Sequence, residues 1–271
     1  MSWRLYVDIG NCAVKYGLRR PGEWARTGVQ DHFFALDGEG AESVSPDGEA
    51  QAIVEAIVAS AWEAQLAGGQ CDGILVSCTA EGAEEFIAAL GQALQAPAQL
   101  LGRDVPADLP TGYYNPGEIG PDRLANAVAA RSLYGAPVIV VDCGTCLTSE
   151  VIDASGVFVG GNIAAGFPLL SLGLMNVSER LRQSLGSVLE TEPDHLIGRS
   201  TAEATNFGLI LQLSGTADRF VAEALVALDL EAAAIVVTGG DGEVCSQFMI
   251  EDSIYDPLLT LEGLRLIDGY P

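Results

Sequence analysis

Two stretches decide the fold: Leu5-Tyr6-Val7-Asp8-Ile9-Gly10-Asn11 and Val138-Ile139-Val140-Val141-Asp142-Cys143-Gly144-Thr145. Each is an apolar run of strand length ending in Asp-x-Gly. Each leads into another strand-like run, Ala13 to Leu18 in the first case and 147–152 in the second. Gly10-Asn11 reads as a tight turn whose residues tolerate positive φ. The repetition predicts two related halves with a cleft between them. A third apolar strand, Ala234 to Val237, ends in Thr238-Gly239-Gly240.

The chemistry of such turns is specific. A carboxylate at a strand end, beside a turn with open backbone N–H groups, can hold Mg²⁺ directly or through water while the amides receive phosphate oxygens. A single Asp-x-Gly is usually an ordinary β-turn. Two matched turns and a Thr-Gly-Gly turn together resemble the phosphate-1, phosphate-2 and adenosine motifs of the actin-like ATPase superfamily. Lys15, the only lysine in the chain, lies just past the first turn. A point charge there is within reach of a β- or γ-phosphate, although the position also suits a surface lysine.

Between the two turns the pattern alternates strands and helices. Residues 37–49 are polar and read as a loop. Ile53, Val54, Ile57, Val58, Trp62 and Leu66 predict a helix ended by Gly68-Gly69. Gly73 to Cys78 reads as a strand, and Phe86, Leu90 and Leu94 mark a second helix. Residues 103–118 read as loop. A helix starts near Pro121, with Leu124 and Val128 on one face. After the strand at 157–160, helices are expected over 166–184 and 199–227. The class is α/β, and the sequence reading places domains at 1–118 and 119–271.

Composition agrees. The 271 residues are 49% hydrophobic but only 7% aromatic, with 32 glycines, which suits an α/β core more than a β-sandwich. The apolar runs are far shorter than the ~18 residues of a membrane span. The N-terminus enters a strand at once, so a cytoplasmic protein without a signal peptide is expected. The formal net charge of −24 opposes binding to nucleic acid or to an anionic membrane. Cys12, Cys71, Cys78, Cys143, Cys146 and Cys245 show no disulfide framework and read as free thiols. Cys143-x-x-Cys146 has no second pair, and neither His32 nor His195 stands at ligand spacing, so a zinc or redox site is not expected.

The segment Tyr113-Tyr114-Asn115-Pro116-Gly117-Glu118-Ile119-Gly120-Pro121-Asp122-Arg123 opens a helix. Asp in a first turn is commonly a cap or dipole partner. An adjacent Asp-Arg pair can also supply a base and an anion clamp in one substrate site.

Here the chain resembles the type III pantothenate kinases. The resemblance is carried by Asp8-Ile9-Gly10-Asn11 with Lys15, Tyr113-x-Asn115-Pro116, Gly120-x-Asp122-Arg123 and Asp142-x-Gly144-Thr145-x-x-Thr148. It continues in Gly160-Gly161-Asn162-Ile163-Ala164-Ala165-Gly166, Ile197-Gly198-Arg199-Ser200-Thr201, Thr238-Gly239-Gly240 and Leu259-Thr260-Leu261-Glu262-Gly263-Leu264. It implies two actin-like (ribonuclease H-like) domains, each a mixed sheet flanked by helices, with ATP and pantothenate meeting in the cleft between them. It implies ATP with Mg²⁺, a monovalent cation (K⁺ or NH₄⁺) and a homodimer.

Asp122 is then the general base. ATP is met by Asp8, Ile9, Gly10, Asn11, Cys12, Lys15, Thr145, Gly239 and Gly240. Asp8 holds Mg²⁺ through water, and Asp142 holds the monovalent cation. Tyr113, Gly120, Pro121, Arg123 and Thr201 position pantothenate. Cys12 and Cys146-Leu147 depart from the family pattern; the first removes a hydroxyl near the phosphates. The rival readings are another small-molecule kinase of the same superfamily and a non-catalytic regulatory protein that keeps the fold.

The charge yields a test. A chain with a net charge of −24 repels itself at low ionic strength, where the Debye length is ~30 Å at 0.01 M against ~8 Å at 0.15 M. The melting temperature should rise as NaCl is added from near zero. A flat or falling melting curve would contradict this.

Overall fold

The computed structural model describes residues 2–31, 46–63, 69–80, 83–185 and 196–270. His32, Leu66, Gly68, His195 and most of the expected 37–49 loop lie outside them. The chain forms two compact units: Met1–Leu109, Asn115–Ala129 and Leu259–Pro271 in the first, Pro110–Tyr114 and Ala130–Leu258 in the second. The sequence reading placed one crossing at 118/119; this grouping returns the last helix to the first unit.

The first unit begins with an antiparallel meander, β1 (Ser2–Ile9), β2 (Ala13–Arg20) and β3 (Glu23–Asp31). Helix α1 (Pro46–Glu63) leads to β4 (Gln70–Cys78), which lies parallel to β1; α2 (Glu84–Leu94) and β5 (Ala98–Leu100) follow. A 3-10 turn at Pro116–Glu118 precedes α3 (Pro121–Tyr134). The second unit repeats the plan with β6 (Val138–Cys143), β7 (Cys146–Ile152), β8 (Phe158–Gly160) and the short β9 (Ile163–Ala165). Helices α4 (Phe167–Val177), α5 (Glu179–Leu185) and α6 (Thr201–Ala227) separate these from β10 (Ala234–Thr238). Last come α7 (Gly242–Phe248), β11 (Ile254–Tyr255) and α8 (Leu259–Asp268).

The sheet orders are β3-β2-β1-β4-β5 and β11-β10-β6-β7-β8. Counting β6, β7, β8, β10 and β11 as first to fifth, both sheets read third-second-first-fourth-fifth. The expected duplication of a mixed, ribonuclease H-like sheet is therefore present in the strand order itself.

Strand alternation explains the packing. Trp3, Leu5, Val7 and Ile9 face α1 and α2, joining Ile53, Ile57, Phe86 and Leu90 in one core. Each fully buried aliphatic side chain contributes about 1.5–3 kcal/mol. The alternate residues Arg4, Tyr6 and Asp8 point to the other face. There Tyr6 donates a 2.8 Å hydrogen bond to Asp268 of α8, which also pairs with Arg4. In the second sheet Ile139, Val141, Cys143, Leu147 and Val237 pack on Leu213, Ala217 and Val221 of α6.

Several local expectations are corrected. Neither Gly10 nor Asn11 adopts the positive φ that both tolerate. The first turn closes instead by a 3.0 Å bond from the Gly10 N–H to the Ala13 carbonyl. Trp62, expected on the apolar face of α1, is 65% exposed. That helix starts at Pro46, inside the expected loop, where proline is preorganised for a first turn. The helix expected over 166–184 breaks at Ser178, whose backbone is extended. Helix α3 is buried through Ala125, Ala127, Ala129 and Ala130, while Leu124 and Val128 are only half-buried.

The small side chain of Ala125 has a reason in α8. A Cβ on Gly263 would lie 2.0 Å from the Ala125 carbonyl oxygen, so the two helices touch backbone to backbone. Thr260 adds a buried 2.8 Å bond to Asn126. Gly263→Ala should therefore destabilise by about 3 kcal/mol through overpacking, whereas Gly269→Ala, with nothing within 4 Å, should act only through its positive φ. Denaturant melts of the two variants check this; equal effects would refute the close approach.

Candidate active site

In the first unit, Asp8 closes β1. Its cross-strand partners are Lys15 on β2 and Ser77 on β4. The Ser77 hydroxyl is buried and finds no hydrogen-bond partner among the described residues. Ile9 is buried, Gly10, Cys12 and Lys15 are half-buried and Asn11 is exposed, so the turn presents its backbone at the sheet edge. Thr79 returns to it through a 3.0 Å bond to the Ile9 carbonyl.

The second unit repeats this geometry. Asp142 closes β6, flanked by Thr148 on β7 and Thr238 on β10. Gly239 (φ +94°) follows Thr238, and a Cβ there would sit 2.4 Å from the Cys143 oxygen and 2.6 Å from Asp142 Oδ1. Only glycine lets this turn lie on the aspartate. Gly240 is exposed, with nothing within 4 Å of its Cβ position. Gly166 is pressed in the same way against the carbonyls of Gly144 and Thr145, and its N–H donates to Thr145 at 3.0 Å. Asp142, Thr145 and Gly239 are thus packed into one strand-end cluster.

The Gly-x-Asp-Arg segment has an equally local explanation. The Asp122 carboxylate turns back and accepts the Arg123 N–H at 2.8 Å. A Cβ on Gly120 would meet Asp122 Oδ1 at 2.5 Å, so the glycine two residues earlier makes room for the carboxylate. Pro121 occupies the first helical position. The Arg123 side chain is buried at 5% exposure. Asn115 caps its own 3-10 turn by accepting from the Gly117 N–H, so in this segment it acts locally. Tyr113 belongs to the second unit and stacks on Phe158 with ring centroids 5.6 Å apart.

Thr201 opens α6 at a groove of about 970 Å³ lined among others by Leu174, Arg180, Arg199 and Gln212. Ser200 caps the helix by accepting the Glu203 N–H. Arg180 donates to Thr201 Oγ1 at 3.1 Å. Arg180 was not anticipated from sequence, and Arg199 was read only as part of the 197–201 segment, without a role of its own. Their signal is scarcity: thirteen basic residues in all, two of them at one groove.

These residues suit cations and phosphates. At Asp142 a carboxylate stands beside the buried Thr238 hydroxyl, which lacks a partner among the described residues. At Asp8 a carboxylate stands opposite a lysine. All six cysteines are free. Contact with the Cys245 thiol and burial push the Cys143 thiol far above the ordinary thiol range, which keeps it protonated and unreactive. Among the described residues no group of three or more His, Cys, Asp or Glu is arranged to hold a metal ion, and no helix is long and apolar enough to cross a membrane.

Twin sheets of this order, each with an aspartate ending its first strand, define a duplicated α/β fold. It is shared with the Campylobacter jejuni structure described as a conserved putative Baf family transcriptional activator (TM-score 0.57, 18% identity, covering 98% of this chain and 97% of that one). The chain belongs to the type III pantothenate kinase family, whose sequence profile matches residues 4–223. A type III pantothenate kinase of Thermobifida fusca is 34% identical over 206 residues, 73% of this chain and 77% of that protein. One from Methylacidiphilum infernorum is 40% identical over 166 residues, 60% of this chain and 59% of that protein. Against relatives such as the latter the chain spans about six-tenths of their length.

The Gly239 contact is testable. Gly239→Ala forces a side chain into positive φ and against the Cys143 carbonyl, and should cost about 2 kcal/mol or more. Gly240→Ala should be near neutral. Thermal melts of both variants check the contrast, and a neutral Gly239→Ala would show that the turn does not press on Asp142.

Proposed function

We propose that the protein transfers the γ-phosphoryl group of ATP to the hydroxyl of pantothenate, giving 4'-phosphopantothenate, the first step toward coenzyme A. The observation that carries this reading is the Gly120-Pro121-Asp122-Arg123 helix start. There a Cβ on Gly120 would displace the Asp122 carboxylate from its place, while backbone φ does not call for glycine. A cap alone would need neither the glycine nor the buried arginine beside it.

In this reading Asp122 is the general base. The pantothenate oxygen loses its proton to the carboxylate, forms a bond to the γ-phosphorus, and the bond from that phosphorus to the β,γ-bridging oxygen breaks to release ADP. The Arg123 N–H bond to Asp122 Oδ1 fixes the carboxylate's orientation. Arg123, Gly120, Pro121, Tyr113 and Thr201 position pantothenate, whose carboxylate is suited to arginine and to a helix N-terminus. Arg180 and Arg199 at the Thr201 groove support that assignment, because cations are rare in this chain.

ATP phosphates are met at the first turn, Ile9, Gly10, Asn11 and Cys12, by the amides beyond the Gly10 N–H that closes the hairpin, and by Lys15; Thr145, Gly239 and Gly240 meet the rest of the nucleotide. Mg²⁺ bound with ATP, held by Asp8 through water, neutralises phosphate charge. Asp142 holds a monovalent cation, K⁺ or NH₄⁺. The protein is in this reading a cytoplasmic homodimer. The presence of Asp8, Asp122 and Asp142 together speaks against a non-catalytic relative, and a panel of alcohol acceptors separates pantothenate from other small-molecule substrates.

Asp122→Asn tests the centre of the proposal. Asparagine keeps the shape and caps about as well, but it cannot take the proton. The variant should stay folded, bind ATP nearly normally and lose about 10²–10⁴-fold in kcat. A kcat within a few-fold of the parent enzyme would remove Asp122 from the role of base.

A further inference from the structure

The two strand ends are built alike and charged differently. In the first unit Asp8 is flanked by Lys15 on the antiparallel side and by the buried Ser77 hydroxyl on the parallel side. In the second unit Asp142 is flanked by Thr148 and by the buried Thr238 hydroxyl at the same two places. The lysine of the first site is replaced by a neutral hydroxyl in the second. One step further along the antiparallel strand the contrast deepens. Gly17, opposite Tyr6, becomes Glu150, opposite Val140, and Glu150 is fully buried.

Glu150 acts on the site through Thr148. The Thr148 hydroxyl donates its only proton to Glu150 Oε1 at 3.0 Å. A hydroxyl whose proton is committed presents only lone pairs elsewhere. Thr148, Asp142 and Thr238 occupy one row across three strands, so their side chains share one face of the sheet. The face therefore carries a carboxylate, an acceptor-oriented hydroxyl and the Thr238 hydroxyl, which has no hydrogen-bond partner among the described residues. Phosphate oxygens are acceptors and are repelled by such a set. Mg²⁺ dehydrates reluctantly and keeps several waters, which a buried hydroxyl does not accommodate. A larger, weakly hydrated monovalent ion is suited to it.

We propose that the Thr148 and Thr238 hydroxyls are ligands of the monovalent cation held at Asp142, with Glu150 the positioning residue that keeps the Thr148 hydroxyl turned as an acceptor. The proposal rests on the reading of Asp142 as the cation site and adds the neutral ligands and their orienting group.

The test reads cation binding without turnover. The full chain is melted across a titration of KCl against choline chloride at constant ionic strength, with and without a non-hydrolysable ATP analogue. Constant ionic strength removes general screening of the acidic surface. The unaltered protein should gain stability specifically with K⁺ or NH₄⁺, and Asp142→Asn should abolish the gain. Thr148→Val and Thr238→Val, which keep side-chain volume, should weaken the apparent K⁺ affinity on the order of tenfold or more; Thr148→Ser and Thr238→Ser should restore it. Thr238→Val should also melt no lower than the parent in choline, because it removes a buried hydroxyl without a partner. Glu150→Gln should shift the K⁺ affinity only while Thr148 is present, and have no further effect in Thr148→Val.

Valine variants that keep the full K⁺ gain, while Asp142→Asn loses it, would overturn the hydroxyl ligands and leave Asp142 standing. No K⁺-specific gain in the parent protein under either condition would overturn both, and assign a water to the Thr238 hydroxyl. A gain with Mg²⁺ and not with K⁺ would overturn the monovalent assignment.

Discussion

The central strand of each sheet is hydrogen-bonded on both sides, and the rest of the structure depends on that constraint. β1 lies between an antiparallel partner and a parallel one, and β6 does the same. A strand held this way has no slack in register, since a slip by one residue would turn every side chain to the wrong face. Asp8 and Asp142 are therefore fixed in position by the apolar residues behind them. The carboxylates stand where the central strand leaves the sheet, and the neighbouring strands bring a second and a third side chain beside each one.

Glycines then do at the strand ends what the ladder does within the sheet. Gly239 and Gly166 let one backbone lie against another around Asp142. At Gly120 the close neighbour is a side chain, the Asp122 carboxylate. In these three cases the absent side chain is replaced by a neighbouring oxygen, a backbone one around Asp142 and a carboxylate one at Asp122. That arrangement suits a chain in which charge is overwhelmingly negative and cations are few.

Much of this was legible in the sequence, for particular reasons. The apolar runs before Asp8 and Asp142 gave the central strands, and their repetition gave the duplicated architecture, because burial on both faces leaves a near-continuous hydrophobic run. Gly120, Asp122 and Arg123 were legible as a unit because their interaction spans four consecutive residues. What was hidden depends on partners distant in sequence. The small residue at Ala125 of α3 makes sense only once Gly263 is seen against it. β3, β5, β9 and β11 are edge or short strands with weak alternation, and sheet partners decide them. Ser77 and Glu150 look like ordinary strand residues until the register sets Ser77 beside Asp8 and Glu150 behind Thr148; Thr148 and Thr238 stood in the motifs without a role of their own. Gly10 and Asn11 tolerate positive φ by residue type, yet the first turn closes by its own hydrogen bond without it.

The return of α8 to the first unit has a consequence for biogenesis. The face of β1 that carries Arg4 and Tyr6 is closed by Asp268, which the ribosome adds after the whole second unit. Domains generally fold in the order of their synthesis, but here the N-terminal sheet must wait with one face open. Arg4, Tyr6 and Asp8 share that face, and polar groups are better tolerated in water than an aliphatic surface during the wait. The nascent chain thus keeps its unfinished side the more hydrophilic one, and completion of the first unit reports that translation has reached the last helix.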